Sequence, residues 1–370
     1  MRRQPDVIVV GAGIIGMLSA RELAGAGLSV ILVERGKAGR EASRAAAGIL
    51  SALYPWEVPS AMGTLLHWSQ AHYPVLADGL RRGSGIDPEW TVSGLLCLGE
   101  GSMEAALTWA NATGNTLDVL DRQEVRRHEP ALAADMQAAA FLPGIAHIHV
   151  PRLMRALRET LLNEGIPLRE ELEITGFLRQ GRRITGVRTA AGALRGGRVV
   201  VACGAWSSRL AAGTGTKIPV EPVRGQIIEF DAPPGLVQRI LYNGEHYLFA
   251  RRTGQIVVGS TRERVGFDRS LTHSALTELM QVAQELLPVL QGVQPQRHWS
   301  GLLPGSADGC PYIGASPAIE GLYFNTGHDA NGITAAPASA RLLADLLVGR
   351  EPVMDPAPYT LTRAAGIDSG

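Results

Sequence analysis

A β-branched apolar run, Val7-Ile8-Val9-Val10, stops at Gly11. After Gly11-Ala12-Gly13-Ile14-Ile15-Gly16, apolar residues return at Met17, Leu18, Ala20, Leu23 and Ala24, a spacing that predicts a helix. A turn at Gly25-Ala26-Gly27 leads to a second apolar run, Leu28 to Val33, closed by Glu34. The middle of the chain alternates. Met103 to Asn111 and Arg122 to His128 read as helices, and Arg152 to Asn163 as a strongly amphipathic one. Leu172–Leu178 and Arg183–Thr189 read as strands joined at Gln180-Gly181-Arg182, and Arg198–Ala202 as a buried strand running into Cys203-Gly204-Ala205-Trp206. Gly225–Phe230, Tyr247–Arg251 and Gln255–Ser260 form an antiparallel set, followed by a helix from Thr272 to Leu290 that ends near Pro288. Leu322–Thr326 is a last strand, which enters a glycine-bounded loop and then a helix from about Thr334 to Leu347.

The opening unit is strand, glycine turn, helix, strand, acid, with Glu34 placed 18 residues after Gly16 and 23 after Gly11. In that context a G-x-G-x-x-G run has a defined chemistry. Gly11 makes the tight turn, Gly13 admits a pyrophosphate, Gly16 lets helix and sheet pack, and the helix N-terminus faces the phosphates. Glu34 suits both hydroxyls of an adenosine ribose and disfavours a 2′-phosphate, which argues against NADP. Strand–loop–helix units at both ends predict an α/β fold with a discontinuous cofactor domain, residues 1–85, 147–222 and 300–370. An α+β substrate domain, residues 86–146 and 223–299, is inserted in it.

Charge narrows the partners. Lys+Arg and Asp+Glu are both 35, so no basic excess supports nucleic-acid binding. Only Lys37 and Lys217 are lysines, which leaves two candidates for Schiff-base chemistry, neither in a pocket motif. The apolar runs fall far short of the ~18 residues of a membrane span. The start, Met1-Arg2-Arg3-Gln4-Pro5-Asp6, leads directly into the first strand, and Val7–Val10 is too short for a signal peptide's apolar region, so a cytoplasmic location is expected. Cys97, Cys203 and Cys310 are too far apart for a redox or metal pair, and Cys97 and Cys203 read as core residues. The histidines show no metal spacing. The 44 glycines have no Gly-X-Y period and mark tight turns and close backbone approaches.

Three stretches together resemble the glycine oxidase branch of the D-amino acid oxidase superfamily of flavoproteins. They are Asp6–Glu34 with Gly39–Ile49; Val199–Trp206 with Pro222-Val223-Arg224-Gly225-Gln226; and Trp299–Gly305 through Asp308–Gly314 and Gly327–Ile333. The order and spacing agree over essentially the whole chain. The resemblance implies a glutathione-reductase-type, Rossmann-like FAD domain with an inserted mixed antiparallel sheet. It implies FAD bound non-covalently, because the Ser300–Pro304 run has no cysteine and Cys310 is offset from the tethering position of sarcosine-oxidase relatives. Carried over residue by residue, it places FAD on Gly11, Gly13, Ile14, Ile15, Gly16, Glu34 and Arg35, then on Ser43, Arg44, Ala46, Ala47, Gly48 and Ile49. It adds Ile174, Cys203, Gly204, Trp206 and Gly301, and the loop His328, Asp329, Ala330, Asn331, Gly332 and Ile333, whose helix N-terminus would stabilise negative charge on reduced flavin.

The implied reaction is oxidative deamination of a small primary or secondary amine or amino acid. Hydride passes to flavin N5, the imine hydrolyses, and O2 reoxidises the flavin to give hydrogen peroxide. Homo-oligomerisation to a tetramer is implied as well. For substrate orientation the resemblance points to Tyr247. Two arginines of the family pattern are absent: Leu303 stands in Gly301-Leu302-Leu303-Pro304-Gly305, and Ala330 follows Asp329 in the His328–Gly332 loop. A gain at Arg262, after Val257-Val258-Gly259-Ser260-Thr261, suggests a relocated anion site; the alternative is a solvated strand-end charge. Loss of the arginines also leaves open an amine without an α-carboxylate, with Leu303 as the floor of its pocket. A dehydrogenase using another electron acceptor and an inactive homologue that keeps FAD for structure stay open. An NAD-linked flavin reductase would need a second dinucleotide fingerprint, which is absent.

Overall fold

The computed structural model describes residues 4–99, 103–133 and 138–363 of the 370. Met1–Arg3, read above as the lead-in to the first strand, lies outside the described residues. Two large sheets organise the chain. The first has six strands, in the order Tyr312–Ala315, Leu322–Thr326, Arg198–Val201, Val7–Val10, Val30–Val33 and Leu168–Arg169. All neighbours are parallel except the first pair, so the crossover connections pack on the sheet faces.

Alternation along Val7–Val10 divides two layers. Val7 and Val9 point into a core built with the helices Ile14–Gly25, Ser60–Ser84, Val150–Asn163 and Gly332–Val348. Ile8 and Val10 point to the other face, which is covered by the small antiparallel sheet of Ile174–Gln180, Arg183–Thr189 and Gly192–Arg195.

The second sheet has eight strands, in the order Arg297–Ser306, Val220–Phe230, Ile256–Gly259, Tyr247–Ala250, Ile240–Tyr242, Leu95–Leu98, Ala138–Leu142 and Asp118–Asp121. Its faces separate by the same alternation. Leu248, Val258 and Ile228 pack under the helix His273–Leu286. Tyr247, Val257 and Ile227 face the other way, into a cluster with Ala47 and the half-buried Ile49, Tyr54 and Trp299. That second face is the roof over the first sheet.

Element ends moved for local reasons. The helix expected from Arg152 begins at Val150, because the ring nitrogen Nδ1 of His149 accepts the Arg152 amide at 3.3 Å and caps it. The helix expected to reach Leu290 stops at Leu286, ahead of a separate turn at Pro288–Leu290 that proline cannot join to it.

Three histidines fold without charge. Burial holds His147 and His149 down to about 4, with Arg251 nearby adding to it, and burial holds His328 down to about 3. Above pH 6.5 the native and unfolded chains are both neutral at these rings. Below it the unfolded chain takes protons that the native one refuses, so stability falls by about 1.4 kcal/mol per pH unit for each of the buried His147 and His328, and by less for the partly exposed His149, until the folded values are reached. Urea midpoints between pH 7 and pH 5 should therefore drop steeply, and His328→Gln should flatten the slope.

Candidate active site

Four adjacent parallel strands end at one place. Val10, Val33, Ala202 and Thr326 lie at their carboxyl ends or one residue beyond, and all four line a cavity of about 450 Å³. This is the crevice in which open α/β sheets bind ligands.

Its floor is a backbone crossing. Gly11 sits at φ +102°, and a Cβ there would lie 2.5 Å from the Ala202 carbonyl oxygen. A Cβ on Gly16 would overlap the Gly11 carbonyl oxygen outright. Gly13, Ile14 and Ile15 open the helix Ile14–Gly25 onto the cavity, and the Ser43 hydroxyl accepts the Ile14 amide at 2.9 Å. A Cβ on Gly13 would come within 3.1 Å of that hydroxyl.

Glu34 is buried, and its carboxylate accepts the amides of Ala12 at 2.8 Å and Gly36 at 2.9 Å. Arg35 lies 3.8 Å over the Trp206 ring. Ile174, Cys203 and Gly204 complete this end. Burial pushes the Cys203 thiol up to about 12, and it donates to the Val10 carbonyl, so it is an inert wall.

At the other end the cavity meets Ala46, Leu303, His328, Asp329, Ala330, Gly332 and Ile333. The His328 ring bonds the Ser339 hydroxyl at 2.9 Å. Asn325 also borders the cavity, and its side-chain amide donates to the Ser19 hydroxyl at 3.1 Å and the Ser339 carbonyl at 3.2 Å.

The remaining expected residues stand just behind the lining. Gly16, Arg44, Asn331 and Gly301 do not line the cavity, and Gly301 packs against Ala45. Gly48 accepts the Ile148 amide, and Ile49 bridges to His147. Ala47 and Tyr247 belong to the roof cluster. Burial pushes the Tyr247 phenol up, so it stays protonated.

Arg262 lies outside the lining, about half exposed, and donates to both Asp329 carboxylate oxygens at 3.1 and 2.9 Å. Its neighbours are pinned. Arg224, buried, holds Glu263 at 2.6 Å and Asp268 at 2.7 Å, and Gln226 holds Glu263 and Thr272.

Sequence reasoning missed Arg209, Glu41 and Glu173 in the lining. Arg209 was within reach, because it lies three residues after Trp206 at helical spacing. It stacks 3.6 Å over Phe267, which packs on Trp206.

Residues 6–346 match the family described as DAO, FAD dependent oxidoreductase. The chain belongs to this family. It is 47% identical over 95% of its length to a glycine oxidase of Pseudomonas aeruginosa, of which 97% is covered. It is 32% identical over 98% of its length to the hydrogen cyanide synthase subunit HcnC of the same species, of which 97% is covered. Among solved structures, a glycine oxidase from Geobacillus kaustophilus superposes with a TM-score of 0.92 at 32% identity, covering 97% of this chain and 99% of that one.

The residues fit FAD. The side-chain-free crossing at Gly11 and Gly16 would admit phosphates, and Glu34 offers a buried carboxylate beside it. Gly13→Val should fold, by circular dichroism, yet purify colourless; a yellow Gly13→Val protein with full flavin content would contradict the assignment of the crossing to the phosphates.

Proposed function

We propose that the chain oxidises a small primary or secondary amine or amino acid at an α-carbon held under the eight-stranded roof. The observation that carries this is the shape of the cavity. One end, with its glycine crossing and buried Glu34, suits a dinucleotide, and the other closes between the C-terminal loop and the roof strand Arg297–Ser306. When bound, FAD supplies a two-electron acceptor: the amine becomes an imine, water hydrolyses that to a carbonyl and ammonia, and dioxygen takes up the electrons as hydrogen peroxide.

The chain's own residues bind, orient and exclude. Gly11, Gly13 and the helix start would hold the pyrophosphate, and Glu34 would hold the ribose. Tyr247, protonated throughout the physiological range, supplies a phenol rather than a charge. His328, neutral and fixed on Ser339, adds no cation near the reacting end. Fixed geometry between an α-C–H and its acceptor is worth several kcal/mol of barrier.

Purified yellow protein screened in air against amines and amino acids should consume O2 and release peroxide with at least one class. The same compound should bleach the flavin without oxygen. Bleaching without peroxide in air would assign a dehydrogenase, and no bleaching by any of them would leave the FAD without a catalytic role.

A further inference from the structure

We propose that residues 262–270, contributed by the roof, form a strap across the outer mouth of the cofactor cavity, and that this strap must lift for FAD to enter or leave. The inference rests on the cavity being the FAD site, which Gly13→Val tests separately.

The mouth is the first observation. Beside the cofactor cavity lies a second depression of about 490 Å³, and the two share Arg35, Glu41, Glu173 and Trp206 in their linings. Phe267 and Arg269 of the strap line only the outer one. A ligand passing from the Glu34 end of the cavity to solvent on this side meets both.

The second observation is that the strap is held firmly on one side and lightly on the other. On the roof side it hangs from Arg224, which is 3% exposed on the strand Val220–Phe230. The Arg224 guanidinium donates to Glu263 at 2.6 Å, to Asp268 at 2.7 Å and to the Ser270 carbonyl at 3.1 Å, so both ends of the strap converge on one buried charge. Arg224 and Glu263 also exchange backbone hydrogen bonds, and Glu263 accepts Gln226. Taking a partner from a buried charge is costly, so this side keeps its shape.

On the cofactor-domain side the contacts lie near the surface. The Phe267 ring centre is 5.3 Å from that of Trp206, and the Arg209 guanidinium lies 3.6 Å over Phe267. Arg269 donates to Glu41 at 2.9 Å, with side chains 56% and 36% exposed, and the Arg262 side chain that reaches Asp329 is 51% exposed. Ion pairs this exposed hold little. Phe267 is therefore the main latch, through its aromatic and cation–π contacts. Its partners Trp206 and Arg209 line the cofactor cavity itself. The strap parts at this seam while Arg224 preserves its shape, as a gate requires.

The test measures FAD exchange rather than turnover. Mixing apoprotein with FAD, and diluting the FAD-loaded protein, both followed by flavin fluorescence, give the association and dissociation rates. Phe267→Ala loosens the latch in bound and free protein alike, so both rates should rise roughly 10-fold, the worth of one such contact, while Kd moves by less than about 3-fold. Phe267→Tyr keeps the ring and should keep the wild-type rates. Arg269→Glu sets two carboxylates against each other across the same seam and should also raise both rates; this exposed site carries the test should Phe267→Ala fail to fold. Faster release with association unchanged, as loss of a plain contact to bound FAD would give, would overturn the proposal. Rates unchanged in either folded variant would overturn it as well.

Discussion

Everything at the site hangs on a crossing where no side chain fits. The Gly11 carbonyl occupies the place a Gly16 side chain would take, and Gly11 itself presses on the Ala202 carbonyl. Two strand ends and one helix start are thereby drawn to one point, with the helix amides and dipole directed at whatever lies above. Glu34 then ties the crossing to the next strand by accepting Ala12 and Gly36 amides. The walls of the cavity, from Val10 to Thr326, follow from the register of the parallel strands rather than from any one side chain.

The other end of the cavity is built differently. Its shape comes from a roof strand, a loop and an ion pair, all of which side-chain changes can rewrite without touching the crossing. Relatives with different names match 95% and 98% of this chain, as expected when a fold carries several chemistries. At this end Leu303, Asp329 and Ala330 line the cavity, and Arg262 is paired with Asp329 behind them.

Legibility in the sequence followed the same division. The first strand–turn–helix–strand unit and the last strand and helix could be read because period and glycine placement agree locally. The helix Ser60–Ser84 gave no such signal. It contains Pro74 and several glycines, and it forms because Met62, Leu65, Leu66, Tyr73 and Leu80 bury one face in the helical layer and the Tyr73 hydroxyl reaches the Ile333 carbonyl. The strand Arg297–Ser306 was hidden by Gly301, Pro304 and Gly305. It tolerates Pro304 because it is the edge strand, and Pro222 opposite it lies beyond Ile227, where pairing with the next strand stops. The residues of the crossing were legible one by one. The partner of Arg262 was not, because Asp329 is 67 residues away and only the fold brings them together.

A site of this build would hold the dinucleotide by its adenosine and pyrophosphate half. Rebinding of FAD to the apoprotein, followed by flavin fluorescence with ADP or FMN as competitor, tests this directly. ADP should compete and FMN should not, and Glu34→Gln should weaken FAD and ADP by the same factor, roughly 10-fold or more for a buried charge-assisted acceptor. Competition by FMN as strong as that by ADP, or a Glu34→Gln protein that binds both ligands as wild type does, would contradict it.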